Sequence, residues 1–299
     1  MERMDQAASV ISDASSALYI SFFPMLKATA VPLPSGSVFV CANSLVVSDK
    51  AVTAKRNYNL RVVETLVGAR ILARALGISV NEKERVTLRE VVGRFLGERE
   101  GQELSIDALQ AGLERVEKEV EVLRPEVVSD DGELGVTMKE MIVMSGLSEQ
   151  GFHDVYLSWV EGKFIGIALH SVFISKKSLI VEATLFQLYK RVKHVLAEAL
   201  RVLQFRQTCF EASGTAALER LGHLMNESQT SCAELFQCSC PELNELTRLA
   251  REAGAYGSRL TGICFFFTFS SSFLMVLLRC RMGRMYSVTC RRGQGRVIH

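Results

Sequence analysis

The stretch LFQLYKRVKHVLAEALRVLQF, residues 185–205, contains the longest regular apolar repeat in the chain. Its apolar side chains recur every three or four residues, which is the spacing of one helix face: Leu185, Leu188, Val192, Val195, Ala199 and Leu203. The charged residues between them fall on the other side: Lys190, Arg191, Lys193, Glu198 and Arg201. The stretch therefore predicts a long amphipathic helix that packs through its apolar face.

Upstream of this helix, the pattern changes from strands to a second long helix. We expect a short helix from Met4 to about Ser15, and the apolar runs Leu18–Phe23 and Ser37–Val47 predict strands. An amphipathic helix is expected over Asn59–Leu76. Its apolar positions are Leu60, Val63, Val67 and Ile71, and the charged residues Arg61, Glu64, Arg70 and Arg74 are expected to face elsewhere.

The remaining periodic segments also predict helices. Residues 86–150 are charged, with helical spacing at Leu88–Phe95 and Ile106–Val122. A further helical cluster runs from Ala216 to Ala253. These segments are typical of a soluble protein that mixes helices and strands.

Composition and charge exclude some classes of protein. With 299 residues, 48% of them hydrophobic and 23% charged, the chain has the balance of a globular protein. The formal net charge is +2, but residues 263–299 hold six arginines and no carboxylate, so the rest is mildly acidic. Binding a phosphate backbone needs a clustered positive field, and the sequence therefore argues against nucleic acid as a partner.

The cysteine pattern indicates a reducing compartment. A chain of this length can bury a core without disulfides, and no secretory signal pattern opens it, so its eight cysteines are expected in the cytosol. Cys232, Cys238 and Cys240 lie close in sequence but lack the paired spacing of a zinc site. We interpret them as buried thiols and expect no metal site there.

Taken alone, the polar residues define no chemistry. Asp5 is explained as a carboxylate near a helix start, and His194 and His223 are expected on the surface or as hydrogen-bonded core residues. The glycines of Gly254–Gly262 could let backbone amides approach a phosphate, although a helix C-cap explains the first of them equally well. Asn226–Ser228 could mark the end of one helix and the cap of the next.

Six strings in one order along the chain resemble galactokinases of the GHMP kinase superfamily. They are MDQAAS at 4–9, RNYNLRVVE at 56–64, LYKRVKHVLAEALRVLQF at 188–205, LGHLMNESQTSC at 221–232, SCPEL at 239–243 and GSRLTG at 257–262. The resemblance implies an α+β fold. The end of a kinase-type N-terminal domain would precede a C-terminal domain of helices with a small antiparallel sheet.

The resemblance also implies an activity and two site residues. Galactokinases transfer the γ-phosphate of ATP, with Mg²⁺, to the anomeric hydroxyl of galactose, and a cytoplasmic location is expected. Asp5 matches the family aspartate that lies beside this hydroxyl and acts as the base, and Tyr58 matches a tyrosine near the sugar. An aspartate suits the role because phosphoryl transfer needs orientation and a proton acceptor within reach of the attacking oxygen.

The chain departs from the family pattern in several places. It contains no sugar-recognition segment of the GEHxDY type and no phosphate loop of the GLSSSA type, and Gln229 stands where the family commonly has histidine. We therefore expect an incomplete and inactive form that lacks the N-terminal half and the end of the C-terminal domain. Four regions are predicted: residues 1–160 from the N-terminal kinase domain with linking helices, 161–180 as a retained-intron insert, 181–262 as the GHMP kinase C-terminal domain, and 263–299 as an unrelated apolar and basic tail.

Other functions stay open at this point. Some galactokinase relatives sense galactose and ATP and bind a regulatory protein instead of catalysing. N-acetylgalactosamine kinases are close relatives, but Tyr58, where a phenylalanine would be expected in them, favours galactose. Leu260–Leu278 approaches the length of a membrane anchor, which its serine and threonine residues argue against.

Overall fold

A computed structural model describes residues 10–11, 16–47, 59–99, 101–125, 134–158, 185–261 and 271–279. The strands are β1 (Ser16–Ser21), β2 (Lys27–Pro32), β3 (Ser37–Val47), β4 (Gly257–Thr261) and β5 (Ser271–Arg279). The helices are α1 (Leu60–Ala75), α2 (Leu88–Phe95), α3 (Ile106–Lys118), α4 (Met138–Ser145), α5 (Glu149–Phe152), α6 (Leu188–Glu211), α7 (Gly214–Glu234) and α8 (Pro241–Glu252). A 3₁₀ turn follows α3 at Glu119–Leu123, and a π-helical turn follows α5 at His153–Leu157.

The larger apolar core forms where α1 packs against α6. Val67 and Leu72 of α1 and Val192 and Leu196 of α6 are buried in one cluster. A Cβ atom at Gly68 would overlap the side chain of Val192, so glycine allows the two helices to approach closely. Each buried Val or Leu side chain contributes about 1.5–3 kcal/mol to folding. The amphipathic helix predicted from residues 185–205 is thus confirmed.

Three charged residues that the apolar repeats place on polar helix faces are buried. Glu64 and Arg191 are 0% and 3% exposed, and Nε of Arg191 donates to Oε2 of Glu64 at 2.8 Å. Arg70 is 4% exposed and donates to the backbone carbonyl of Ser145 at 3.1 Å. The expectation that these charges face away from the core was wrong, because charges that find partners can be buried without altering the apolar period.

The helix ends are fixed by local sequence. At the start of α2, the hydroxyl of Thr87 accepts from the backbone N–H of Glu90, whose carboxylate accepts from the N–H of Thr87 at 2.7 Å. Thr137 and Glu140 form the same capping box at the start of α4. Helix α4 ends at Gly146, where φ is +71°, a value that glycine adopts without steric cost.

Two antiparallel sheets accompany the helices. β1 pairs with β2, and the second sheet has the strand order β3–β5–β4. In its register, Val276 of β5 lies opposite Val40 of β3 on one side and Ser258 of β4 on the other. The central strand therefore comes from residues 263–299, the region predicted to be a tail unrelated to the family. Whether it is unrelated stays a prediction, but its residues 271–279 take part in the sheet.

Helix α7 lies directly against strand β4. A Cβ atom at Gly222 would overlap the backbone of Tyr256, and one at Gly257 would overlap the backbone of Gly222. Glycine at both positions is therefore required for this close packing. Leu221 and Leu277 are fully buried in a smaller apolar cluster beside the contact.

The predicted α+β fold class is confirmed. The strands expected at Leu18–Phe23 and Ser37–Val47 correspond to β1 and β3, whereas β2 was not expected. Residues 161–180, and residues 4–15 apart from 10–11, lie outside the described residues. None of the helices in the described ranges is both long enough and apolar enough to cross a membrane. The segment Leu260–Leu278 begins in β4 and ends in β5.

Candidate functional site

The two predicted site residues, Asp5 and Tyr58, lie outside the described residues. Three of the strings that carry the resemblance meet in the described part of the chain: residues 221–232 in α7, 239–243 at the start of α8, and 257–261 in β4. We call this region the α7–β4 junction. It is the candidate site whose geometry can be described.

Two amide side chains of α7 bind the outer edge of β4. Asn226 accepts from the N–H of Ser258 at 3.1 Å and donates to the carbonyl of Tyr256 at 3.2 Å. Oε1 of Gln229 accepts from the N–H of Leu260 at 2.8 Å, and its Nε2 donates to Oδ1 of Asn244 at 3.0 Å. These bonds satisfy strand groups that would otherwise be unpaired at a sheet edge.

These contacts correct two interpretations of the sequence. Asn226–Ser228 lies in the interior of α7 and is not a helix end or cap. The amides of Ser258 and Leu260 bind α7, and the amide of Tyr256 donates to the carbonyl of Leu277 at 3.1 Å. Within the described part of this segment, these three amides are therefore not available to bind a phosphate. Its first glycine, Gly254, does follow the end of α8 with a φ of +93°, as expected for a C-cap.

A carboxylate with several partners connects α6 to the junction. Glu198 of α6 accepts from the hydroxyl of Ser228 at 2.8 Å and forms ion pairs with Arg201 and with Arg259 of β4, the latter at 3.5 Å. Its side chain is 20% exposed. Because two guanidinium groups and a hydroxyl engage this carboxylate, it is held as a structural charge and is not free to act as a base.

His194 lies beside this carboxylate as a neutral core residue. Its Nδ1 is 2.8 Å from the hydroxyl oxygen of Ser231 on α7. The pKa of His194 is lowered from 6.5 to about 4, mainly by burial, with the charges of Arg201 and Arg259 acting in the same direction and Glu198 opposing the shift. The expectation of a hydrogen-bonded core histidine is confirmed for His194, and His223 is exposed on α7.

Two arginines hold the loop that joins α7 to α8, residues 235–240. Nε of Arg61 in α1 donates to the carbonyl of Phe236 at 2.7 Å, and Arg191 donates to Oε1 of Gln237 at 2.9 Å. The Phe236 ring stacks on the imidazole of His194, with ring centroids 4.6 Å apart. The start of α1, which follows Tyr58 by two residues, is thereby fixed to the end of α7.

The described part of the chain has no metal centre. No three histidine, cysteine, aspartate or glutamate side chains within the described residues are placed to hold a metal ion. Cys232 is buried, and Cys238 and Cys240 are partly buried, as free thiols. These residues therefore do not provide a site for Mg²⁺.

The α7–β4 junction is a scaffold and not a reaction centre. Its carboxylate is paired, its histidine is neutral and buried, and its amides bind the backbone. From the sequence, Asn226 and Gln229 were recognised only as parts of a motif string, and Glu64 and Arg191 only as charged residues on polar helix faces. Their buried contacts were not predicted. Their roles depend on partners 15 to 127 positions away, which local spacing does not reveal.

Comparisons with known proteins agree with this architecture. The family model described as GHMP kinases C terminal matches residues 210–272, which include α7, α8 and β4. The galactokinase of Saccharomyces cerevisiae is 34% identical over 273 residues, covering 87% of this chain and 48% of that protein. The galactokinase of Dictyostelium discoideum is 34% identical over 277 residues, covering 87% of this chain and 47% of that protein.

The chain thus spans about half the length of the curated relatives it matches. Within that span, the identity extends over most of the chain, and the matched C-terminal segment folds into the helices and strand that carry the motif strings. On this evidence, the chain is a homologue of galactokinases over most of its length and contains a C-terminal domain of the GHMP kinases.

Proposed function

We propose that this chain contributes to a galactokinase, which transfers the γ-phosphate of ATP to the anomeric hydroxyl of galactose in the cytoplasm. The single observation that supports the proposal is the 34% identity to galactokinases over 87% of the chain. The motif strings MDQAAS and RNYNLRVVE lie at either end of the N-terminal part, with Asp5 in the first and Tyr58 in the second.

Asp5 is proposed as the base. A carboxylate within hydrogen-bond distance of the attacking hydroxyl accepts its proton as the bond to phosphorus forms. The remaining requirement of phosphoryl transfer is orientation and charge stabilisation, for which groups outside this sequence would be needed, because it contains no phosphate loop of the GLSSSA type. Mg²⁺ is implied by the family alone, and we assign no residue of this chain to it.

Tyr58 is proposed to pack beside the sugar. Its support is the start of α1, which begins two residues later at Leu60. Arg61 anchors that start to the carbonyl of Phe236, and one turn later the buried pair of Glu64 and Arg191 joins α1 to α6. The segment that follows Tyr58 is thus already held in place, so ordering it on sugar binding would cost little conformational entropy.

The test uses a chimera in which this chain replaces the matching part of the Saccharomyces cerevisiae galactokinase, with residues 161–180 and 263–299 deleted or kept. Asp5→Asn should lower kcat by about 10²- to 10⁴-fold while galactose binding survives, because only the proton acceptor is lost. Tyr58→Ala should act mainly through KM, since a packing contact exists in ground and transition states alike. Asp107→Asn is a matched control, because Asp107 is an exposed carboxylate in the first turn of α3.

The outcomes separate the alternatives. Near-full kcat in Asp5→Asn would show that Asp5 only compensates a helix dipole. Binding of galactose and ATP by the active-length chimera without turnover would favour a sensing relative that acts through a regulatory partner. Faster turnover of N-acetylgalactosamine than of galactose would overturn the assigned substrate.

A further inference from the structure

Two free thiols meet where α7 ends. The backbone N–H of Cys238 donates to the carbonyl of Cys232 at 2.9 Å, and its sulfur lies 3.5 Å from the same carbonyl oxygen. Both side chains contact the apolar cluster formed with Leu243 and Leu260. These contacts place the two cysteines side by side at the end of α7, and a disulfide requires such proximity.

The intervening loop is held in the conformation that brings these thiols together. Gln237 has a φ of +55°, and among the described residues other than glycine it alone has a positive φ. This left-handed residue turns the chain back toward α7. Arg61 donates to the backbone carbonyl of Gln237 at 2.5 Å, and Arg191 donates to its side chain at 2.9 Å. The loop is therefore held with Cys238 against the end of α7.

The surroundings make Cys232 the more reactive sulfur. The hydrogen bond from Cys238 lowers the pKa of the Cys232 thiol, burial raises it, and the positive charge of Arg259 lowers it again. Cys238 is correspondingly held as the protonated donor, with its pKa raised. Burial also raises the pKa of the nearby Cys240 thiol, which makes it a weaker competitor. Cys238 is partly exposed, so a small oxidant can approach the pair from solvent.

We propose that Cys232 and Cys238 are a reversible redox site that a peroxide oxidises to an intramolecular disulfide. The Cys232 thiolate attacks one peroxide oxygen, the O–O bond breaks, and the hydroxide that leaves takes up a proton as water. The sulfur of Cys238 then attacks the sulfenic sulfur of Cys232. The S–O bond breaks, and the oxygen leaves as a second water with the thiol proton. Two thiols lose two electrons in total, and one peroxide is reduced to two waters.

The disulfide would close a small ring around the loop that binds Arg61 and Arg191. Such a ring reduces the conformational entropy of the unfolded chain more than that of the folded chain, in which the two cysteines already lie side by side. Oxidation should therefore raise the Tm of the chain. Reduction by a thiol such as dithiothreitol should reverse the change.

The experiment treats the 299-residue chain with hydrogen peroxide, blocks free thiols with N-ethylmaleimide and digests it with a protease that cleaves after glutamate. Cleavage after Glu227, Glu234 and Glu242 places Cys232 in residues 228–234 and Cys238 with Cys240 in residues 235–242. The expected product is these two peptides joined by one dithiothreitol-sensitive bond, detected by mass spectrometry.

Two variants identify the partner and serve as matched controls. Cys238→Ser should abolish the joined product, and Cys240→Ser should form it as the wild type does. A bond from Cys232 to Cys240 or to any other cysteine would overturn the proposal. So would full alkylation of Cys232 and Cys238 at a peroxide concentration that oxidises the exposed Cys41. The wild-type protein shows whether Cys232 is joined to residues 235–242, the two variants show which cysteine of that peptide is bonded, and neither readout depends on kinase activity.

Discussion

The buried imidazole of His194 should make stability depend on pH. Its pKa lies near 4 in the folded protein and at 6.5 in the unfolded chain, so only the unfolded chain takes up a proton between these values. The contribution of neutral His194 to the free energy of unfolding is therefore complete above pH 6.5 and is lost as the pH falls toward 4. The difference corresponds to about 3 kcal/mol.

Urea unfolding at pH 7 and pH 5 measures this effect. His194→Gln should unfold with a smaller loss of stability between the two pH values than the wild type. His223→Gln, which changes an exposed histidine on the neighbouring helix α7, should keep the wild-type dependence. Equal losses in wild type and His194→Gln would assign the pH dependence to other groups.

Replacing only one partner of the ion pair between Glu64 and Arg191 should lower the free energy of unfolding strongly. Its two side chains are 1% and 4% exposed, so removing one partner leaves a charge without compensation. Arg191→Met should destabilise the chain by about 3–5 kcal/mol, and Glu64→Gln in the same chain should recover part of that loss.

A double-mutant cycle in urea unfolding checks the coupling. Arg248→Met is the control, because Arg248 pairs with exposed carboxylates on α8 and its substitution should change the stability far less than Arg191→Met does. Additive effects of the two core substitutions would show that the pair does not act as a unit.

At the scale of elements, α7 protects the edge of β4 in place of a neighbouring strand. Asn226→Leu should remove the acceptor of the Ser258 amide and the donor to Tyr256, and cost about 2 kcal/mol. Hydrogen exchange gives a local measurement. The Ser258 amide should exchange faster, whereas the Leu260 amide, which binds Gln229, should change less.

Thr230→Ala tests whether any substitution on α7 speeds hydrogen exchange of the Ser258 amide. The hydroxyl of Thr230 binds only the carbonyl of Asn226 within its own helix, and the residue is exposed. Its substitution should leave the exchange of β4 unchanged. Faster exchange in Thr230→Ala than in Asn226→Leu would mean that helix stability, and not the amide contact, protects the strand.

For the whole molecule, we predict no galactose-dependent release of ADP by the purified 299-residue chain. Phosphoryl transfer depends on positioning and charge neutralisation at the phosphates, and the sequence has no phosphate loop of the family type. A coupled ADP assay with and without galactose measures it, and the active chimera described above is the positive control. Turnover above the galactose-free blank would contradict the prediction.

The sequence by itself determined the periodic elements and the resemblance to galactokinases. The apolar spacing in 185–205 and 59–76 predicted α6 and α1, because an amphipathic helix repeats one face along the chain. Motif strings identified the galactokinase resemblance, which the comparisons support. Local turn chemistry placed Gly254 after a helix, since only nearby residues are needed for a C-cap.

Tertiary structure decided which polar residues are buried and what they hold. Glu64 and Arg191 stand 127 positions apart, and Asn226 binds a strand about 30 positions away, so no local pattern relates them. Strand β5 also could not be predicted locally. Its sequence was interpreted as part of an unrelated tail, but in the folded chain it pairs with β3 on one side and with β4 on the other. Periodicity reports where apolar side chains can be buried, whereas the burial of a charge or an amide depends on a partner that only the folded chain brings into hydrogen-bond distance.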